Sequence, residues 1–174
     1  MITGHRKIGK SYSHDDATRV KVRNRLRNIL RKVKEKYPEV IGISGMAIGI
    51  DQDFCYICIE LQIPFDAYLP FEGQALIWPK PIQNEYKNLL KKARQCIIVS
   101  DGGYSPSKMH VRNKAMADEC DAAIAVWDQR QIGGTASCIK YLEQLEKKVL
   151  IINPNDEYNQ SHHKMNTPLR GSVT

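Results

Sequence analysis

Short, nearly unbroken apolar runs alternate along this chain with longer stretches of helical periodicity. Val40-Ile41-Gly42-Ile43-Ser44, Phe65-Asp66-Ala67-Tyr68-Leu69, Cys96-Ile97-Ile98-Val99-Ser100, Ala122-Ala123-Ile124-Ala125-Val126-Trp127 and Val149-Leu150-Ile151-Ile152 read as buried strands. A strand covered on both faces loses the polar–apolar alternation of a half-exposed one. Helical patterns fall near residues 51–62, 82–95, 107–120 and 134–147, and Ile82, Tyr86, Leu89, Leu90 and Ala93 share one face of the second. A very short strand at Met1–Thr3 completes the series. The alternation predicts an α/β domain: a doubly wound, mainly parallel sheet with helices on both faces.

A further helix precedes this series. Val22, Leu26, Ile29, Leu30, Val33 and Tyr37 form one apolar stripe, while Arg19, Lys21, Arg23, Arg25, Arg27, Arg31, Lys32 and Lys34 fill the other faces. The net charge of +7 is concentrated here. Residues 1–36 carry 12 Lys/Arg against 3 Asp/Glu, a balance of +9, and the remaining residues carry 14 against 16, a balance of −2. Such a face is either a solvated exterior or a contact for an anionic partner.

At 174 residues and 42% hydrophobic composition, the chain suits one domain with a sizeable core. Residues 1–152 read as that domain and 153–174 as a polar tail. No run approaches the roughly 18 apolar residues of a membrane span, and no apolar core of signal-peptide length follows Met1. A cytoplasmic protein without membrane contact is expected. Cys55, Cys58, Cys96, Cys120 and Cys138 are an odd number, mostly within apolar stretches, and read as small buried side chains of a reducing compartment. Cys55-x-x-Cys58 has no second ligand pair, and His162-His163 stands alone in the tail; no metal and no cofactor is assigned.

In an open parallel sheet, ligands bind at the carboxyl ends of strands, near the point where strand order reverses. Four loops predicted for that edge are small, polar and rich in Gly: Thr3-Gly4-His5-Arg6, Ser44-Gly45-Met46-Ala47-Ile48-Gly49-Ile50-Asp51, Asp101-Gly102-Gly103-Tyr104, and Asp128 followed by Gly133-Gly134-Thr135. The second and fourth lead into helices, where backbone N–H groups and the helix dipole suit a phosphate. Neither is a dinucleotide fingerprint or a Walker motif, so hydride transfer and ATP hydrolysis lack sequence support.

Each candidate side chain has a structural and a functional reading. Asp51 caps the helix near residues 51–62, or contacts a ribose hydroxyl or acts as a base. Arg6 suits a phosphate. His5 lines the edge, or serves as acid or base. Arg112 and Asn113 face the ligand, or Arg112 pairs with Asp101 or Asp128. Trp78 and Tyr104 offer flat rings to a base, or pack in the core or against a subunit.

Ser44-Gly45-Met46-Ala47-Ile48-Gly49-Ile50-Asp51 resembles the Ser-Gly-[Met/Leu]-Ala-x-Gly-[Ile/Val]-Asp signature of the SLOG superfamily. This superfamily includes DprA-like DNA-processing proteins and the lysine-decarboxylase-like LOG phosphoribohydrolases. The similarity is greater to its YspA/YpsA-like branch, through Thr3-Gly4-His5-Arg6, Pro64-Phe65, Gly73-Gln74, Trp78-Pro79, Tyr86, Tyr104, Arg112-Asn113, Met116, Asp121, Ala125-Val126 and Gly133-Gly134-Thr135. The resemblance runs from about residue 1 to 152. It implies a Rossmann-like sheet whose loops hold a nucleotide or nucleotide-derived ligand. LOG-type enzymes carry Pro-Gly-Gly-x-Gly-Thr-x-x-Glu with a catalytic Glu, whereas here Gly133-Gly134-Thr135 continues Ala136-Ser137-Cys138, with no Glu before Glu143. That departure argues against the LOG reaction.

The expectation is therefore capture of a nucleotide-type small molecule, such as an ADP-ribose derivative, by a sensor or sequestering protein. Gly4, His5, Arg6, Ser44, Gly45, Met46, Ala47, Gly49, Asp51, Trp78, Tyr104, Arg112, Asn113, Asp128, Gly133, Gly134 and Thr135 are its expected site. One alternative is a hydrolase of an N-glycosidic or phosphoester bond, with Asp51 or His5 as base. Another is a DprA-like nucleic-acid-binding protein, with nucleic acid otherwise a secondary partner. A homo-oligomer is expected, from that resemblance and from Phe71, Trp78 and Tyr158.

Overall fold

The chain is described by a computed structural model over residues 1–6 and 16–156. In chain order the elements are β1 (Ile2–Gly4), α1 (Ala17–Lys36), β2 (Gly42–Ser44), α2 (Ile50–Glu60), β3 (Phe65–Leu69), α3 (Lys80–Leu90), β4 (Gln95–Ile98), α4 (Pro106–Glu119), β5 (Ala122–Val126), α5 (Gly134–Gln144) and β6 (Lys148–Ile152). The predicted alternation of strand and helix is therefore the observed one.

Every ladder is parallel. β3 sits between β2 and β4, and β5 sits between β1 and β6. The two halves meet where β1 lies beside β2. The chain steps outward from β1 to β4, then returns to β5 on the far side of β1, with Gly4 opposite Val126. Strand order thus reverses between β1 and β5, where a Rossmann-like sheet opens its crevice.

Right-handed crossovers then dictate which helices cover which face, because outward and returning connections pass on opposite sides of the sheet. Val22, Leu26 and Leu30 of α1, Phe54 and Ile57 of α2 and Leu89 of α3 pack against Ile2, Phe65, Ala67 and Leu69. On the other face, Met116 and Ala117 of α4 and Cys138 and Leu142 of α5 pack with Ile43, Tyr68 and Ala123. Burying each of the larger side chains contributes about 1.5–3 kcal/mol. The period-2 geometry of β3 explains the split: Phe65, Ala67 and Leu69 face one layer and Tyr68 the other.

Three expectations need correction. The Cys96–Ser100 and Val149–Ile152 runs are not strands buried on both faces: β4 and β6 lie at the sheet edges, Cys96 is exposed, Ile98 is 52% exposed and Leu150 48%. Tyr37 leaves the apolar stripe, because it caps the C-terminus of α1 and stands exposed. Arg19 is buried, not solvated. Its Nε and Nη2 donate to the fully buried Asp53 carboxylate at 2.8 and 3.0 Å, fastening α1 to α2. Cys55 and Cys58 lie in the core around α2, where burial pushes the Cys58 thiol up to about 12.

Candidate functional site

At the switch point, β1 ends in Gly4 and the chain continues as His5-Arg6. The His5 N–H donates to the Val126 carbonyl at 3.3 Å, carrying the β1–β5 alignment one residue further. Its imidazole Nε2 then lies 2.8 Å from Oδ1 of Asp128, just past β5. Asp128 is itself fixed: Arg130 Nε donates to Oδ2 at 2.6 Å, and the Arg130 backbone N–H donates to Oδ1 at 3.2 Å. Burial raises the Asp128 carboxyl, but the hydrogen bonds from Arg130 and His5 more than reverse this and hold it below the usual carboxylate range. Arg6 is exposed beside this pair.

The turn after β2 is filled from within. Ser44 Oγ accepts the Met46 N–H at 3.2 Å and donates to the Asp51 carbonyl at 2.9 Å, and Asp51 Oδ2 accepts the Ala47 N–H at 3.2 Å. The Gly45 carbonyl accepts from Arg112 Nη1 and from Gln74 Nε2. A Cβ at Gly45 would stand 1.7 Å from Arg112 Nη1, so glycine is required by the buried guanidinium. Gly49, with φ +98°, lets the turn meet the backbone of Arg6, whose carbonyl would lie 2.3 Å from a Cβ there.

Arg112 does not pair with Asp101 or Asp128. Its Nη1 lies 3.8 Å from Asp51 Oδ2, and its Nε donates to Asn113 Oδ1 at 2.9 Å. α4 aims the guanidinium inward beneath the β2 turn, whereas Asp101 is exposed and Asp128 is held by His5 and Arg130. Burial pushes the Asp51 carboxyl up, against the opposing effects of Arg112, the Ala47 N–H and Arg6, and pushes Arg112 down. Removing both charges from water outweighs their attraction. The Met46 and Ala47 N–H groups are thereby engaged internally.

The start of α5 is different. Gly133 has φ +117°, no side chain caps the helix, and a Cβ at Gly133 or Gly134 would meet nothing within 4 Å. Among the described residues, then, nothing covers the N-terminus of this 11-residue helix and no acidic side chain in its first turn opposes its dipole. Thr135 is buried behind it, and one turn on Cys138 meets Thr3 of β1. Burial pushes the Cys138 thiol up to about 11, against the Thr3 hydrogen bond. A cavity of about 60 Å³ lies between α4 and α5, lined by His110, Asn113, Lys114, Ser137, Cys138 and Tyr141.

Of the two expected stacking rings, Tyr104 is available: it is 67% exposed and meets Phe71 edge-on at 6.0 Å. Trp78 is not free in the same way, because it packs edge-on against Tyr86 at 5.3 Å and against the core beneath. Phe71 is likewise buried. Two residues escaped the sequence reading. Gln74, quoted within the resemblance but given no role, is buried over the β2 turn, and its Oε1 lacks a hydrogen-bond partner among the described residues. Arg130 could have been found as a cation two residues from Asp128. Tyr158, His162, His163 and the tail beyond Asp156 lie outside the described residues. Among the described residues no cluster of three His, Cys, Asp or Glu fit for a metal occurs, and no helix is long and apolar enough to cross a membrane.

Comparison with known proteins agrees with this architecture. The family model for the YspA SLOG family matches residues 1–156. The chain is 27% identical over 144 residues to an uncharacterized SPbeta prophage-derived protein, YoqJ, of Bacillus subtilis, covering 73% of this chain and 83% of that one. It is 24% identical over 164 residues to UPF0398 protein OB1025 of Oceanobacillus iheyensis, covering 90% and 89%. Among solved structures, DNA processing protein A (DprA) of Streptococcus pneumoniae aligns with TM-score 0.63 at 16% identity, over 87% of this chain and 49% of that chain. The protein solved as TM1055 aligns with TM-score 0.53 at 14% identity, over 85% and 69%. At these identities the two solved structures share the fold.

Proposed function

The chain belongs to the YspA SLOG family, and from that membership we propose that it binds a nucleotide or nucleotide-derived small molecule of ADP-ribose type, as a sensor or sequestering protein. One observation carries the reading: the uncapped N-terminus of α5 and exposed Arg6 follow β5 and β1, the two strands between which strand order reverses. Backbone donors, helix dipole and guanidinium suit a phosphate together. Tyr104, exposed on the loop after β4, is the ring offered to a base. Gly4, Ser44, Gly45, Met46, Ala47, Gly49, Asp51, Arg112 and Asn113 form the supporting wall, with the Asp51–Arg112 pair holding the β2 turn from below.

Calorimetric titration with ADP-ribose tests this, comparing the wild type with Gly134→Leu. Space around Gly134 lets the variant fold, while the new side chain covers the helix N-terminus. Wild-type binding lost in Gly134→Leu is expected; equal affinity in both proteins places the phosphate elsewhere.

A further inference from the structure

The His5–Asp128 contact exceeds what capture of a ligand requires. Asp128 is held ionised, so its oxygens can only accept; Nε2 also lies 3.3 Å from the Asp128 backbone N–H, and the shorter 2.8 Å contact to Oδ1 assigns the proton to His5 Nε2. The opposite ring nitrogen, Nδ1, is left with a lone pair and has no hydrogen-bond partner among the described residues. Arg130 orients Asp128 through both backbone and side chain, at 3.2 and 2.6 Å. The imidazole is 17% exposed, shielded yet open to a water molecule. A carboxylate that fixes the tautomer and ring plane of a histidine is the arrangement a general base needs.

We propose that His5, oriented by Asp128, acts as a general base in hydrolysis of a phosphoanhydride bond of the bound molecule, an inference that rests on the binding reading above. Position selects the bond: Asp128 and Gly133 belong to the one loop from β5 to α5, which ties the base to the α5 N-terminus, where the binding reading puts the phosphates. An N-glycosidic bond lies farther along, past the ribose. In the reaction, His5 Nδ1 takes a proton from water as the water oxygen forms a bond to phosphorus. The bridging P–O bond breaks, its electron pair leaves with the departing phosphate, and His5 then returns the proton to solvent. For ADP-ribose the products are AMP and ribose 5-phosphate. Asp128 acts as a positioning residue.

The test uses the full chain with ADP-ribose, following products by chromatography in water enriched in ¹⁸O and affinity by calorimetry. The wild type is expected to form AMP and ribose 5-phosphate with one ¹⁸O incorporated per turnover. His5→Gln is expected to lose about 10²–10⁴-fold in kcat while keeping its affinity. Added imidazole restores part of the rate to His5→Ala, and Asp128→Asn lowers kcat with KM unchanged. Binding without turnover by the wild type, or His5→Gln turning over at the wild-type rate, overturns the proposal and leaves the binding reading standing. Absence of binding overturns both.

Discussion

Arg112 and Asp51 face each other at 3.8 Å beneath the β2 turn, with only 7% and 9% of their side chains exposed. Burial acts against the charge of both, so neither tolerates loss of its partner. Arg112→Met is expected to cost about 3–5 kcal/mol in urea unfolding, because it strands a buried carboxylate. The double variant Asp51→Leu/Arg112→Met is expected to be more stable than the sum of its single changes predicts. Additive losses would mean that the two groups do not interact.

The glycines of the two helix-entry loops are expected to part company. Gly45→Ala must displace the Arg112 guanidinium, which stands 1.7 Å from the new carbon, and should lower the melting temperature by several degrees. Gly134→Ala meets open space at the start of a helix and should leave stability unchanged or slightly raised. Thermal unfolding followed by circular dichroism checks both; equal effects would contradict the two environments.

Stability should depend on pH through Asp66. Burial raises its carboxyl, but Arg94, donating to it at 2.8 and 2.5 Å, and Gln95 at 2.8 Å more than reverse this, leaving it below the ordinary range. A carboxyl lower in the folded than in the unfolded chain stabilises above the ordinary carboxylate pKa, and that contribution is lost as pH falls through the folded value. Asp51, raised by burial, works in the opposite sense: its contribution is present at low pH and lost as pH rises through its folded value. Asp66→Asn is therefore expected to remove up to roughly one proton from the uptake that accompanies acid unfolding, measured by urea midpoints between pH 3 and 6. An unchanged slope would show that the Arg94 contact does not hold in solution.

The basic face of α1 is expected to carry only nonspecific affinity for DNA. Arg27 already bonds Glu60 at 2.8 Å, and Arg23 stands 3.6 Å from buried Asp53, which leaves Lys21, Arg31 and Lys32 as the exposed positions to reverse. Lys21→Glu/Arg31→Glu/Lys32→Glu should lower DNA affinity at low salt and flatten its salt dependence by about 0.7–0.9 in log–log slope per lost phosphate contact. ADP-ribose affinity should stay within a few-fold. Loss of ADP-ribose binding would put α1 in the site.

At least a dimer is expected in solution. Phe71 and Trp78, expected to supply its surface, pack inward, whereas Leu76, Ile77, Tyr104 and Ile98 are 75%, 88%, 67% and 52% exposed. Exposed apolar groups of that size favour association. Light scattering at micromolar concentration should give at least twice the chain's 19.9 kDa; the mass of a single chain removes the expectation.

Local pattern is enough to give the order and kind of every element, because the switch from unbroken apolar runs to a 3.6-residue period is a property of neighbouring side chains. It also marked Gly4-His5-Arg6, the Ser44–Asp51 turn and Gly133-Gly134-Thr135 as one edge, since strand–turn–helix grammar places such loops at carboxyl ends. Tertiary structure alone decided the partners. Asp51 lies 61 positions from Arg112, and His5 lies 123 from Asp128; no local pattern states which carboxylate a buried guanidinium or imidazole will meet. Nor does composition say which apolar run becomes an edge: Cys96–Ser100 and Val149–Ile152 read like the covered strands, yet among the described residues β4 and β6 each have a neighbour on one side only. The same reason separates the two glycine turns. Both read as anion cradles, but the inward reach of Arg112 fills the first, and only the second, at the start of α5, is left open to a ligand.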